Sequence, residues 1–336
     1  MKELLSVLNG KRTERIPIFL RDLTLGMDVI NVKTTDVFTS SYNSELSAKA
    51  VIALQKMTGQ DAVVGCIQSV AFNSESFGGK MKYPEYGIPI PLTHPLSGVT
   101  ELPEVPEIKG KMARAAHSYS IVREKLPDIA VVTNVEGPLT KTGTLTGMDD
   151  LALLMISEKD HVNKVIKITT EHTMSFIEKI HKNGAMDCVF LASATDNPDL
   201  FGQDIYEEMV LPHVKELVSR THGLGYPVIF HPHGVFYDDL ITKTIGTKID
   251  GFQFSEGNEP GKITKMINKR CAVLGGTDIV PTLLSGTDEE IRERTEYYVR
   301  SCSPGNYVFM PSCSLHRGTD MTRVMKMVTA VRNVKD

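Results

Sequence analysis

Along this chain, short apolar runs alternate with longer stretches of helical periodicity, which is the pattern of parallel βα units. Strands are predicted at residues 16–20 (IPIFL), 61–64 (DAVV), 129–134 (IAVVTN), 186–191 (MDCVFL), 227–230 (PVIF), 249–254 (IDGFQF), 272–275 (AVLG) and 307–310 (YVFM). Helical periodicity covers 44–57, 112–125, 148–182 with a break near Lys159 and Asp160, 204–223, 235–244, 261–269, 289–302 and 322–334. Eight strands with eight helical connections predict an α/β protein, a (β/α)8 TIM barrel. Residues 1–9 form a short amphipathic N-terminal extension. A long insertion rich in Gly and Pro, residues 68–110, follows strand two. A loop of that length inside a compact domain is usually functional. No linker or shift of composition divides the chain, so residues 1–336 are read as one domain.

Composition narrows the class. The 336 residues are 41% hydrophobic and 23% charged, with a net charge of −4. No basic block stands out, which argues against nucleic-acid binding. No apolar run is long enough for a membrane span, and the start lacks the order of a signal peptide, so a cytoplasmic location is expected. The five cysteines, Cys66, Cys188, Cys271, Cys302 and Cys313, include no close pair. A disulfide framework is therefore not expected.

The sharpest chemical signal is His231-Pro232-His233, directly after strand five. Residues at i and i+2 of an extended segment share a side, so both imidazoles can face one point. Pairs of this kind are common zinc ligands, and they also occur as hydrogen-bonded pairs with no metal. Cys313, just past strand eight, lies on the same barrel face and offers a soft anionic sulfur as a third ligand. Other polar residues follow strands and converge on the same mouth. They are Asn134 and Glu136 after strand three, Asp196 and Asn197 after strand four, Glu256 after strand six and Asp278 after strand seven. Glu136 and Asp278 are the catalytic candidates; Asn134, Asp196 and Asn197 are the candidates for holding a cofactor. Each also suits the commoner role of helix cap or loop brace. Arg21 and Asp22 follow strand one and are read as an anion site or as a mutual ion pair, and His316 lies near the site.

Asn134-Val135-Glu136-Gly137-Pro138, residues 144–150 (TLTGMDD), residues 207–212 (EEMVLP), Gly275-Gly276-Thr277-Asp278 and Pro311-Ser312-Cys313 together resemble the uroporphyrinogen decarboxylase superfamily, over essentially the whole chain. Within it the chain looks most like the methylcobalamin:coenzyme M methyltransferases. Their zinc motif is His-x-Cys at one strand end, with a distant Cys after the last strand. Carried over, the first ligand falls on His231 and the distant cysteine on Cys313. The middle ligand falls on His233, where the family pattern has cysteine. The resemblance implies Zn2+, methylcobalamin or a protein-bound corrinoid as co-substrate, a corrinoid protein as partner, and a small thiol or methyl donor as substrate. The decarboxylases themselves hold an aspartate where this chain has Gln68, which disfavours that activity. Three readings follow: a zinc methyltransferase acting from methyl-corrinoid to a thiol such as coenzyme M, a demethylase or lyase with another donor, or a non-catalytic corrinoid-binding barrel.

Overall fold

The computed structural model describes residues 2–69, 71–303 and 306–334. Seven parallel strands form one curled sheet in sequence order: β1 (Ala62–Val64), β4 (Ala130–Glu136), β5 (Cys188–Ser193), β6 (Val228–Pro232), β7 (Gly251–Gln253), β8 (Ala272–Gly275) and β9 (Tyr307–Phe309). The predicted first strand supplies the eighth position as single bridges rather than a ladder. Ile18 bridges Phe309 and Phe19 bridges Ala62, so residues 18–19 join the two edges of the sheet. Backbone bonds from Phe19 N to Phe309 O (2.9 Å), Phe309 N to Pro17 O (2.9 Å) and Asp61 N to Ile18 O (2.8 Å) close the barrel. Closure removes the free edges that an open sheet would expose.

Side-chain parity divides the strands into two layers. Phe19, Ala62, Val64, Ala130, Val132, Cys188, Phe190, Ile229, Ala272, Leu274 and Val308 pack with one another inside the barrel. The alternate residues, such as Val63, Val131, Val189, Phe230, Phe252 and Val273, pack outward against the helices. Both faces are buried, so these strands read as continuous apolar runs rather than as alternating ones. The N-terminal extension forms the helix Glu3–Leu8, and its Leu4, Val7 and Leu8 join the inner cluster.

Eight helices follow the strand positions: Ser44–Thr58, Gly110–Lys125, Lys159–Lys182, Leu211–Gly223, Asp238–Ile245, Pro260–Ile267, Asp288–Cys302 and Met321–Asn333. Some of their starts carry side-chain caps. Asn43 accepts from Leu46 N, Thr287 forms a capping box with Glu290, and Asp320 accepts from Thr322 N, each satisfying amides that the helix leaves unpaired. The predicted break in the long helical stretch falls at Glu158, between Met148–Ser157 and Lys159–Lys182.

The helix Pro138–Thr146 is not predicted by periodicity. Its sequence, PLTKTGTLT, has poor helix propensity, and tertiary burial holds it together, since nearly all of its residues are buried. The insertion carries a 3-10 turn at Phe72–Phe77 and an antiparallel hairpin of β2 (Met81–Lys82) and β3 (Ile90–Pro91). Leu96 N donates to Leu145 O (2.8 Å), which docks the insertion on that unpredicted helix. Among the described residues no helix is long and apolar enough to cross a membrane.

Gly65, just after β1, lies against the ring of Tyr119, where an added Cβ would overlap ring carbons. Tyr119 is fully buried and cannot swing away. Gly65→Ala is therefore expected to lower the unfolding free energy by about 1–3 kcal/mol, the range for overpacking. Urea denaturation checks this: the midpoint should fall with an unchanged slope.

Candidate metal centre

Inward parity continues past the apolar layers to the C-terminal mouth. His231 follows Ile229 by two residues on β6, so it stands above Phe190, with ring centroids 5.8 Å apart. Asn134 follows Val132, Gln253 follows Gly251, and Arg21 follows Phe19 by the same rule. A polar layer therefore caps the apolar stack, and Phe190 is its floor beneath both His231 and the Arg21 guanidinium, which sits 4.7 Å from the ring centre. Arg21 takes a left-handed backbone (φ 46°) to turn inward, a conformation that costs a non-glycine residue free energy.

His231, His233 and Cys313 bring one donor atom each within 4.8 Å of one another. His231 Nε2 lies 3.1 Å from His233 Nε2, which lies 4.0 Å from Cys313 Sγ. Tetrahedral zinc at its usual bond lengths holds nitrogens roughly 3.3 Å apart and sulfur slightly further. His231 Nδ1 faces the Gln253 carbonyl at 3.3 Å, which keeps the proton there and leaves Nε2 as a lone pair. Burial pushes His231 down to about 4, so the imidazole is neutral at physiological pH. Burial alone would raise the Cys313 thiol, but contacts with His231 and His233 and the charge of Arg21 hold it well below its ordinary range. A neutral His231 and a Cys313 held toward the thiolate are the protonation states that a metal requires of these two ligands.

His233 and Cys313 line a cavity of about 480 Å³ together with Asn197, Asp199, Ser255, Glu256, Ile279, Val280, Ser312, Ser314 and His316, while His231 is buried and does not line it. Gly234 makes the turn after His233 with φ 102°, and Asn197 and Pro198 leave no room there for a Cβ. His316 binds Ser314 Oγ (2.9 Å) and Thr24 Oγ1 (3.2 Å). Glu256 accepts from Ser312 Oγ (2.8 Å) and Ile279 N (2.9 Å), bracing the loop that leads to Cys313.

The remaining candidates separate. Asn197 lines this cavity and caps the turn Pro198–Phe201 through Asp199 N. Asp196 is buried away from it, accepting from Leu139 N (2.8 Å), Thr140 N and Thr140 Oγ1, and so anchors the start of the helix Pro138–Thr146. Asp278 accepts from Arg294 Nε (2.8 Å) and Tyr298 Oη (2.7 Å), outside the residues that line the cavity.

Asn134 and Glu136 line a second pocket of about 20 Å³, with Gln68, Ser69, Asn73 and Lys141, room for about one water. There Asn73 donates to Glu136, and Lys141 Nζ reaches His172 Nδ1 (2.8 Å) and Thr173 Oγ1 (2.9 Å). Burial raises the Glu136 carboxyl against the pull of Lys141, and lowers the Lys141 ammonium against the pull of Glu136. Asn134 Oδ1 accepts from Arg21 Nε (2.9 Å), while Arg21 Nη1 lies 4.0 Å from Cys313 Sγ, so one arginine spans the two pockets.

Arg21 and Asp22 do not pair with each other. Asp22 instead accepts from Leu25 N and Gly26 N (3.1 Å). Arg21 and Gln253 are the contributors that motif reading underrates. Inward parity in strands one and six is the signal that finds them.

The chain belongs to the uroporphyrinogen decarboxylase (URO-D) family, whose pattern matches residues 1–334. Among known relatives, it is 22% identical to the methylcobamide:CoM methyltransferase MtaA of Methanosarcina barkeri over 337 residues, 97% of this chain and 96% of that one. It is 23% identical to the methylated-thiol–coenzyme M methyltransferase of Methanosarcina mazei over 250 residues, 74% of this chain and 64% of that one. A solved methyltransferase structure from Methanosarcina mazei superposes with a TM-score of 0.85 at 21% identity, covering 98% of this chain and 97% of that chain, and shares the barrel fold.

Burial raises the Asp22 carboxyl from its ordinary 3.8 to about 7, against the pull of the backbone amides of Gly26, Leu25 and Thr24. Between about pH 4 and pH 7 the folded chain therefore keeps a proton that the unfolded chain has released, and stability falls as pH rises. Asp22→Asn removes that dependence. The variant should gain on the wild type by up to about 1.4 kcal/mol per pH unit across this window. Urea unfolding of both proteins at pH 5 and pH 7 measures it, and a constant difference would refute it.

Proposed function

We propose that this protein is a zinc-dependent, corrinoid-linked methyltransferase, with His231, His233 and Cys313 holding the metal. The convergence of those three donors within 4.8 Å at one side of an open cavity carries the reading. Three protein ligands leave one tetrahedral position for a substrate. Zinc held there supplies a positive charge that stabilises the thiolate form of an incoming thiol.

The chain's own residues then select and orient. Ser255, Ser312, Ser314 and Asn197 offer neutral hydrogen-bonding groups to a small polar acceptor in about 480 Å³. A corrinoid carried by a partner protein exceeds that volume and meets the acceptor at the cavity mouth. Arg21, held by Asn134 and lying over Phe190, keeps a fixed positive charge beside Cys313. We assign Asp196 and Asp278 to bracing the loops of the mouth, and Asn134 to holding Arg21, rather than to chemistry. Glu136 belongs to the second pocket, where burial raises its carboxyl against the pull of Lys141. The methyltransferase names of the relatives at 22–23% identity support the reaction class. Gln68 donates to Asn134 O (3.1 Å) and presents no carboxylate to a pyrrole, which argues against a decarboxylase.

His233 favours a second reading. Two neutral imidazoles and one thiolate leave zinc with a net charge of +1, where a His-Cys-Cys set would leave zero. A more positive centre is the stronger Lewis acid and suits activation of a methyl donor, with the same residues serving a demethylase.

Metal analysis of the purified protein should give about one zinc per chain. Cys313→Ala should lose most of it, while His233→Cys retains it. Full zinc content in Cys313→Ala would refute the ligand assignment, and a wild type that takes up no metal would refute the reading itself. Demethylation of methylcobalamin with a panel of thiols then tests the reaction.

Thiol binding to the zinc-loaded protein should also release about one proton at neutral pH, because a free thiol with a pKa near 8.5 becomes a thiolate. Calorimetry in buffers of different ionisation enthalpy reads this. Release for no thiol would favour the demethylase.

A further inference from the structure

Gln253 ends β7 fully buried at the inward top layer, where its backbone carbonyl reaches His231 and its side-chain amide reaches the carbonyls just before Cys313. Its backbone carbonyl faces His231 Nδ1 at 3.3 Å. Its side-chain Nε2 donates toward Pro311 O (3.3 Å) and Ser312 O (3.2 Å), the two carbonyls leading into Cys313, and toward Phe254 O (3.0 Å). One residue thereby ties the strand that carries the first imidazole to the loop that carries the sulfur. These are separated by 82 positions in sequence, and no other side chain among the described residues bonds to either the Pro311 or the Ser312 carbonyl.

We propose that Gln253 is the positioning residue of the metal centre, setting the separation of Cys313 Sγ from the two imidazoles. This rests on the metal reading above. The chemistry is specific to an amide. Glutamate of the same size would turn carboxylate oxygens toward three carbonyl oxygens, and an aliphatic residue would leave two buried carbonyls without their donor. Asparagine is one methylene too short to span from β7 to the loop. Gln253 Oε1 is itself buried without a hydrogen-bond partner among the described residues. A residue chosen for packing alone would avoid that unpaired oxygen, so the amide is present for what its NH2 group holds. The two contacts are also separable: any substitution keeps the backbone carbonyl that orients His231, and only the hold on the Cys313 loop is lost.

The test is metal affinity and cobalt(II) spectroscopy of the full-length protein. Partners that orient ligands typically change affinity by roughly 10–100-fold. Gln253→Met should weaken zinc by that order in chelator competition. With cobalt(II) bound, its thiolate charge-transfer band should weaken or shift, while ligand-field bands from the imidazoles persist. Gln253→Glu, which keeps the side-chain size, should weaken binding at least as much, and it decides the matter if Gln253→Met does not fold. Loss of affinity with a changed sulfur band supports the assignment. An unaltered cobalt spectrum and unaltered zinc affinity in the folded variants overturn it. Failure of the wild type to bind metal overturns the metal reading instead, so the two failures are distinguishable.

Discussion

Closure of the parallel sheet through residues 17–19 is the constraint on which the rest of the molecule depends. Once Phe19 and Ile18 bridge both sheet edges, every strand has one inward face, and alternate residues must fill a closed interior. The lower layers answer with Ala, Val, Ile, Leu and Phe. At the C-terminal mouth the same parity delivers Arg21, Asn134, His231 and Gln253 instead. The functional layer is thus the next tier of the barrel's own packing, raised on Phe190. A rigid scaffold of this kind holds side chains more tightly than mobile loops do.

The mouth is divided electrostatically. On one side lie the His231 and His233 imidazoles and the Cys313 sulfur, with His233 and Cys313 facing a cavity large enough for a small molecule. On the other, Glu136 and Lys141 line a pocket that holds about one water, each favouring the charged form of the other against burial. Leaving either charge alone in such a place would be costly, which explains why they occur together. Arg21 bridges the halves and lends its charge to the sulfur side. Its strained backbone and its stacking on Phe190 show that this position is set by the fold around it.

The loops at the mouth carry polar side chains that sequence position marks as candidates, Asp196 for holding a cofactor and Asp278 for catalysis, and both make hydrogen bonds to neighbouring elements. Asp196 reaches across to the start of the helix Pro138–Thr146, and Asp278 receives Arg294 and Tyr298. Such buried acceptors satisfy backbone and side-chain donors that water cannot reach. Replacing either one would strand its donors in the interior and so move the mouth, whatever the chemistry inside it.

Periodicity by itself determined the barrel, its eight helical connections and the location of the insertion, because those depend on local apolar patterning. The pair His231 and His233 was also legible, since strand geometry sets the relation of i to i+2 without help from the rest of the fold. Three things were decided only by tertiary structure. The first strand reduced to single bridges, because its pairing was set by the two edges it had to close. The helix Pro138–Thr146 formed against its propensity, because burial and Asp196 outweighed a Thr- and Gly-rich sequence. The sorting of polar mouth residues into cavity lining, second pocket and loop brace depended on which donors lay within hydrogen-bond reach. Such distances join residues far apart in the chain, as between Gln253 and Ser312, and no local pattern encodes them.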